Sequence, residues 1–326
     1  MAETGRLYQH APSRKLAREE IPLLDVSPLF VGDTAARAEL VQRIRKACFE
    51  TGFFYVHGTC VGDRCIRAAL EATQAFFATP DDGAVKQGVH SAHSGGKRGW
   101  SPIFTEPAYQ AGTQAHLESF DLGQDAPGAA PNAWPDLPGF RAAISEYYES
   151  VTRLGRALAE AFSILLNMDE GFINRHSTER APRTMRLLHY PANDAPADGR
   201  NVGISAHTDF ECFTIMHQTA AGLEVTDVNG DWCSAPAGIG SFTVIIGDML
   251  ERLSNGVLQA TGHRVVNTPW QRYSMVLFFA LDGDFEVAPL PQFTGPDSPA
   301  RYLPVTQDAH IARELKRAYD NLSPET

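Results

Sequence analysis

His207 and Asp209 stand two residues apart in the run Ala206-His207-Thr208-Asp209-Phe210, and a third candidate ligand returns in Gly262-His263-Arg264-Val265-Val266. Two imidazoles and one carboxylate form a ligand set that suits iron(II) in oxygen-activating sites. Three protein ligands hold one face of the metal, and the opposite face stays open for dioxygen and a co-substrate. On an extended strand a spacing of two points both side chains to one face, so His207 and Asp209 would aim together. His263 must then be brought alongside by a returning strand. The intervening sequence supplies candidates: Phe213 to Gln218 alternates weakly, Gly222 to Thr226 reads as extended, and Asn229-Gly230 is a strong hairpin signal. Ser241 to Ile246 and Gly262 to Asn267 are β-rich. Arg272 and Ser274, again two apart, would share a strand face. A His-x-Asp alone is weak, because a buried histidine and aspartate often satisfy each other; the constellation carries the inference.

The elements that position these residues begin near the N-terminus. Residues up to about Glu20 are polar and basic and read as an arm, followed by a short strand from Ile21 to Val26. Thr34 is a plausible N-cap for a helix to Thr51, with Leu40, Val41, Ile44, Ala47 and Cys48 at helical spacing, and Gly52 ends it. Phe53 to Val56 reads as a buried strand. A second amphipathic helix carries Ile66, Leu70, Thr73, Phe76 and Phe77 and stops before Pro80. Gly83 to Gly112 is rich in Gly, Ser and His without periodicity, which reads as a long loop, functional or disordered, and His90 and His93 read as polar members of it. Leu117 to Leu122 and Thr184 to Tyr190 read as strands. The longest helix runs from about Phe140 to Leu166, with Ile144, Tyr147, Val151, Leu154, Leu158, Phe162 and Leu165 along one face, and reads as packing without chemistry. Asp308 to Tyr319 closes the chain with a helix bearing Ile311, Leu315 and Tyr319.

With 326 residues, 43% hydrophobic and 21% charged, the chain can bury one large core, an α+β arrangement with a mainly β centre. A formal net charge of −11 argues against a nucleic-acid partner, which would need surplus Lys and Arg. Cys48, Cys60, Cys65, Cys212 and Cys233 lack CxxC or zinc-ribbon spacing and read as reduced thiols of a cytoplasmic protein. No apolar N-terminal h-region or membrane-length run appears, so no membrane partner is expected.

The segment from Ala206 to Ser274 resembles the iron(II)/2-oxoglutarate-dependent dioxygenases of the isopenicillin N synthase-like type. The resemblance rests on the His207 and His263 runs together with Gly222-Leu223-Glu224-Val225, Gly247-Asp248-Met249-Leu250, Ser254-Asn255-Gly256 and Arg272-Tyr273-Ser274. The N-terminal order of strand, helix, Gly-Phe-Phe strand and helix is also similar. The resemblance implies a double-stranded β-helix (jelly-roll) core over residues 181–285. A helical region, 1–180, would add strands to the core sheet, and a C-terminal extension, 286–326, would complete one structural unit. It implies that His207, Asp209 and His263 bind Fe(II), and that Arg272 pairs with the distal carboxylate of 2-oxoglutarate with Ser274 and Tyr190 beside it. Two positions depart from the family's pattern: Leu188 stands where many members carry asparagine, and His217-Gln218-Thr219 where many read Gln-Asp.

The implied reaction consumes O2 and 2-oxoglutarate, releases succinate and CO2, and oxidises an unactivated C–H bond of a small molecule, most simply by hydroxylation. Arg98, Trp100, Phe210, Glu211 and Phe279 are the implied substrate-pocket residues. Arg98-Gly99-Trp100 resembles the family's Arg-Gly-aromatic segment near the substrate. Arg186 to Pro191 also resembles members that hydroxylate free pyrimidine bases. An amino acid, a nucleobase or a natural-product intermediate would suit such a pocket. The nearest alternative is an oxidase of the isopenicillin N synthase or aminocyclopropane-carboxylate oxidase type, which shares the triad and Arg-x-Ser but does not consume 2-oxoglutarate. An inactive binding barrel would not need the intact residues, and a hydrolytic zinc site would leave Arg272 unexplained.

Overall fold

The computed structural model describes residues 12–16, 20–96, 98–125, 130–194 and 200–321. Most of the expected N-terminal arm lies outside these residues; Arg14–Lys15 (β1) is an exception. Leu23–Asp25 (β2) and Phe53–His57 (β3) pair in parallel. A parallel pair needs a crossover, and Thr34–Glu50 (α1) supplies it, burying Leu40, Val41, Ile44, Ala47 and Cys48. The cap of α1 is Asp33, one residue before the expected Thr34: its carboxylate accepts from the Ala35 and Ala36 amides. Either residue type caps well, so the sequence alone does not rank the two. Gly52, at φ +79°, makes the left-handed turn into β3. Asp63–Phe77 (α2) follows.

The stretch expected to be a single long loop contains short ordered pieces, Ala84–Gln87 (α3) and Gly99–Ser101 (β4). Tertiary bonds fix them: Lys86 Nζ is buried and donates to the Phe77 carbonyl, Asp81 and Glu118. Elements this short have no periodicity to read. Gln114–Ala115 (β5) and Glu118–Gly123 (β6) come next, then the long helix Phe140–Leu165 (α4) and Phe172–Arg175 (α5).

The β-rich half runs Thr184–Tyr190 (β7), Asn201–Val202 (β8), Ile204–His207 (β9), Phe213–Gln218 (β10), Leu223–Thr226 (β11), Trp232–Ala235 (β12) and Phe242–Ile246 (β13). After Asp248–Leu253 (α6) come His263–Val265 (β14) and Arg272–Phe279 (β15). Glu286–Val287 (β16) pairs with Val305–Thr306 (β17), and Gln307–Asp320 (α7) follows. The large sheet has the order β2-β3-β13-β10-β15-β7-β6-β4, and the small sheet β1-β12-β11-β14-β9. From β7 to β15 the chain passes repeatedly between the two sheets, which is the double-stranded β-helix. The Asn229-Gly230 turn joins β11 to β12 with Gly230 at φ +85°.

Both faces of the central strands of the large sheet are buried, against different partners. Phe213 and Ile215 of β10, Met275, Leu277 and Phe279 of β15, and Met185 and Leu187 of β7 pack with Ile144, Val151, Leu154, Leu158 and Phe162 of α4. The residues between them, Met216, Val276, Leu188 and Tyr190, point the other way and pack with Ile204, Leu223, Val225 and Val265 of the small sheet. This is the period-2 geometry of a strand made visible on two cores. Among the described residues no helix is long and apolar enough to cross a membrane.

Helix α4 lies close enough to the sheet that Gly155 must have no side chain: a Cβ there would fall 2.5 Å from Phe279 Cδ2. Gly155→Val is expected to lower stability by about 1–3 kcal/mol through overpacking. An unfolding midpoint in urea equal to that of the wild type would refute this packing.

Candidate active site

His207 and His263 meet because β9 and β14 are antiparallel neighbours with these two residues directly opposite, their rings 4.2 Å apart. Asp209 arrives differently from the expectation of a shared strand. β9 ends at His207, and Asp209 lies in the turn leading to β10, where the Thr214 hydroxyl donates to its Oδ2. Its Oδ1 is thereby left facing both imidazoles, 3.8 Å from His207 Nε2 and 3.5 Å from His263 Nε2. His207 Nδ1 lies 2.8 Å from the Ser205 carbonyl and His263 Nδ1 3.1 Å from the Thr261 carbonyl. A carbonyl only accepts, so each Nδ1 carries a proton and each Nε2 is turned towards the cluster. Burial, then the neighbouring His263, holds the His207 pKa well below the ordinary histidine value, so this ring is neutral. One potential ligand atom from each of the three residues thus lies within 4.8 Å of the others, a set of two imidazoles and a carboxylate that suits a divalent cation.

Arg272 is fully buried and lies on the inward face of β15 with Ser274. Its Nη2 donates to Ser274 Oγ at 3.0 Å and approaches Gln218 Oε1 at 3.4 Å, and its guanidinium carbon sits 4.5 Å from the Tyr190 ring centroid. Nε and Nη1 have no partner among the described residues. Gly222 passes so near that a Cβ would meet Nη1 at 2.8 Å. Burial lowers the Arg272 pKa and also pushes the Tyr190 hydroxyl up to about 12. A buried cation without a counter-charge costs several kcal/mol, and Nε with Nη1 is a pair of donors whose geometry matches a carboxylate.

The remaining expected pocket residues divide. Phe210 flanks the site, edge-on to Tyr109 and to His310 of α7. Glu211 is buried; burial first, then Asp209 and Asp248, raises its pKa to about 8. Trp100 is not in the pocket. Its ring lies in the helix-side core, bonded to Glu118 and beneath Lys86, because β4 directs it to the face shared with Phe120. Phe279 is on that same face, stacked on Phe213 at 4.8 Å and covered by α4, so it too belongs to the core. Arg98 sits against Gly123 at the far end of β6, in the field of Asp121 and Asp125.

Four further residues, of which the sequence pointed only to Arg186 through its segment, form a bonded group that reaches His207. Tyr109 stacks on His207 at 4.3 Å and its hydroxyl donates to Glu106. Glu106 takes a two-pronged pair of bonds from Arg186, at 2.7 and 2.6 Å, and Asp121 accepts from Arg186 Nε at 2.9 Å. Arg186 is four residues before Tyr190 on the same inward face, a signal legible from strand parity. Glu106 and Tyr109 lie in irregular chain and offered none.

A double-stranded β-helix with two facing histidines, a carboxylate and a buried arginine defines a metal-dependent oxygenase. Residues 21–137 match the model of the N-terminal region of the non-haem dioxygenases in morphine synthesis, and residues 181–281 that of the 2OG-Fe(II) oxygenase superfamily. The chain is similar to the 2-oxoglutarate-Fe(II) type oxidoreductase hxnY of Emericella nidulans, 31% identical over 91% of this chain and 90% of that protein. It is likewise 31% identical to an Arabidopsis thaliana homoarginine-6-hydroxylase, over 83% of this chain and 88% of the relative. The crystal structure of a full-length Neurospora crassa protein in complex with alpha-KG and thymine superposes with a TM-score of 0.80 at 24% identity, covering 93% of this chain and 99% of that one. The chain belongs to the 2OG-Fe(II) oxygenase superfamily, isopenicillin N synthase-like. It is an Fe(II)- and 2-oxoglutarate-dependent dioxygenase acting on a small molecule, and the 2-oxoglutarate-independent oxidase reading is not favoured.

The Thr214–Asp209 bond makes a prediction of its own. Thr214→Val keeps the shape but removes the hydroxyl that orients the carboxylate, and is expected to weaken metal binding by about 10–100-fold. Anaerobic titration with Fe(II), or with Co(II) as a spectroscopic substitute, reads this directly; an unchanged dissociation constant would remove the orienting role.

Proposed function

We propose that His207, Asp209 and His263 are the Fe(II) ligands. Arg272, Ser274 and Tyr190 hold 2-oxoglutarate by its distal carboxylate, and the substrate is hydroxylated at a carbon held between Phe210 and the metal. The observation that carries the co-substrate assignment is the pair of nitrogens on fully buried Arg272 that find no partner among the described residues. When bound, Fe(II) and 2-oxoglutarate supply the activation of dioxygen, with 2-oxoglutarate ending as succinate and CO2.

The chain's own residues then have defined tasks. Ser205 and Thr261 carbonyls fix the imidazole tautomers, and Thr214 fixes the carboxylate. Arg272 neutralises the distal carboxylate while Ser274 orients the guanidinium and Tyr190 covers its face. The apolar interior, including Leu188 and Val276, keeps water from the reacting centre. Leu188 stands at the position where many members place asparagine, so Arg272, Ser274 and Tyr190 carry the polar recognition here.

For the substrate, an amino acid, a nucleobase or a natural-product intermediate fits best. The homoarginine and thymine named for the relatives are both small and rich in N–H donors, and the Arg186–Glu106–Asp121 group beside His207 is a polar wall suited to such molecules.

His207→Ala and Asp209→Ala are each expected to abolish turnover while the fold survives, checked by succinate release alongside circular dichroism. Losing one partner of a buried charge pair costs roughly 2–5 kcal/mol. Arg272→Ala should therefore weaken 2-oxoglutarate binding on the order of thirty-fold to several thousand-fold. Iron affinity should change far less, and Arg272→Lys should recover only part of the loss, since an ammonium lacks the planar fork. Anaerobic spectroscopic titration with Fe(II) and 2-oxoglutarate separates the two affinities. If the wild type oxidises its substrate without 2-oxoglutarate and yields no succinate, Arg272 is a substrate ligand and the oxidase reading stands.

A further inference from the structure

One face of the His207 imidazole is covered by a ring that the reading above leaves without a task. Tyr109 stacks on it with the ring centroids 4.3 Å apart and the planes inclined by 13°. His207 is the last residue of β9, so the paired backbone supports it from one side only. Its Nδ1–H donates to the Ser205 carbonyl at 2.8 Å. That bond fixes which nitrogen faces the cluster and holds the plane of the ring only loosely, because hydrogen-bond directions at a carbonyl are broad. A phenol laid flat on the imidazole removes the remaining tilt. Among the described residues the other candidate histidine, His263, has no ring against it except His207.

Tyr109 is itself anchored at both ends. Its amide and that of Gln110 donate to Ser205 Oγ at 3.0 and 3.3 Å, and Gln110 Nε2 donates to the Ala206 carbonyl at 2.9 Å. Ser205 therefore holds the imidazole with its carbonyl and the segment of the covering ring with its hydroxyl. At the far end the phenol donates to Glu106 Oε1 at 3.3 Å, and Arg186 fixes Glu106 with bonds of 2.7 and 2.6 Å. Burial, then Glu106, keeps the phenol pKa well above its ordinary value, so the hydroxyl stays a donor. A phenol that gives its O–H to a carboxylate has an electron-rich face. An imidazole that ligates a divalent cation loses electron density to it. Opposite polarisation of the two faces makes the stack stronger with a metal bound than without one.

We propose that Tyr109 is a positioning residue for the metal. Stacked on His207 and tied through its hydroxyl to the Glu106–Arg186 pair, it holds the imidazole in its ligating orientation and raises the affinity of the site for a divalent cation. The inference rests on His207, Asp209 and His263 being the metal ligands. It gives the buried Arg186–Glu106 pair a structural task at the site, which is to keep the covering ring in place.

The test adds Co(II), whose visible absorption bands report ligand geometry, anaerobically to the full chain without 2-oxoglutarate. Tyr109→Leu removes the stack, and Tyr109→Phe keeps the ring while dropping the bond to Glu106. Tyr109→Leu is expected to bind Co(II) about tenfold more weakly than the wild type, with its visible bands shifted or changed in intensity. Tyr109→Phe should stay within about threefold of the wild type and keep the wild-type bands. A role confined to stability would lower the urea midpoint and leave the Co(II) dissociation constant and bands of the folded protein unchanged. That result for Tyr109→Leu would overturn the proposal, and so would a Tyr109→Phe protein as weak as Tyr109→Leu. Should Tyr109→Leu fail to fold, Ser205→Ala decides: it keeps the carbonyl on His207 and frees the Tyr109 segment. It is expected to weaken Co(II) binding by about three- to tenfold, and a wild-type constant with wild-type bands would overturn the proposal. Failure of the metal reading shows separately, as a wild type that binds no Co(II) or a His207→Ala protein that binds it equally well.

Discussion

The central strands of the large sheet have no face towards water, and that constraint governs where chemistry can sit. Each of these strands must satisfy two cores at once, the helix layer on one side and the small sheet on the other. Alternate residues therefore belong to different environments. On β15 the sequence Arg272-Tyr273-Ser274-Met275-Val276-Leu277 sends every second residue to the site side and the others to α2 and α4. A polar side chain is tolerated on the inward set only where it has a partner or will receive one. The site is built from those exceptions, Thr214, Gln218, Arg272 and Ser274, set among Met216, Leu188 and Val276.

The same parity explains what is legible in the sequence and what is not. The candidate metal ligands, Arg272 and Ser274 can be read because their residue types are rare in an apolar strand context and their spacing is regular. Asp209 reaches the cluster by a different route from the one its spacing implies: it comes not from the strand of His207 but from the turn beyond it, pinned by Thr214. Trp100 and Phe279 mislead because adjacency to a motif says nothing about which face a side chain takes. Both occupy the helix-side core. Parity corrects Phe279, since it is seven residues from Arg272 and an odd separation lies on the opposite face. Glu106 and Tyr109 are illegible for a different reason. Their position depends on bonds between irregular chain and β9, and no local pattern encodes a contact of that kind.

The irregular segment is also held from outside. The Ala108 amide donates to the Ala318 carbonyl at 3.1 Å, and Asn321 Nδ2 donates to the Ala108 carbonyl at 2.9 Å, so the end of α7 is strapped to the residues flanking Glu106 and Tyr109. The start of α7 reaches the other flank. His310 pairs with Asp248 at 2.7 Å and meets the Phe210 ring edge-on, and Gln307 Nε2 donates to the Phe210 carbonyl at 2.9 Å. One C-terminal helix thus fixes both Phe210 and the Tyr109 segment, the two sides of the space above the His207–Asp209–His263 cluster.

That arrangement separates precision from variability. The cluster and Arg272 stand on paired strands or on a turn bonded to one, where backbone register sets their positions to within the tolerance that metal and carboxylate recognition demand. The groups facing the substrate come from chain whose placement depends on side-chain bonds and on α7. Substitutions there can alter the shape and charge of the substrate space without disturbing the strand register beneath. A barrel built this way keeps one reaction while its substrate changes, because the residues that define each task answer to different forces: the first set to the hydrogen-bonded ladder, the second to a few buried ion pairs such as Arg186 with Glu106 and Asp121.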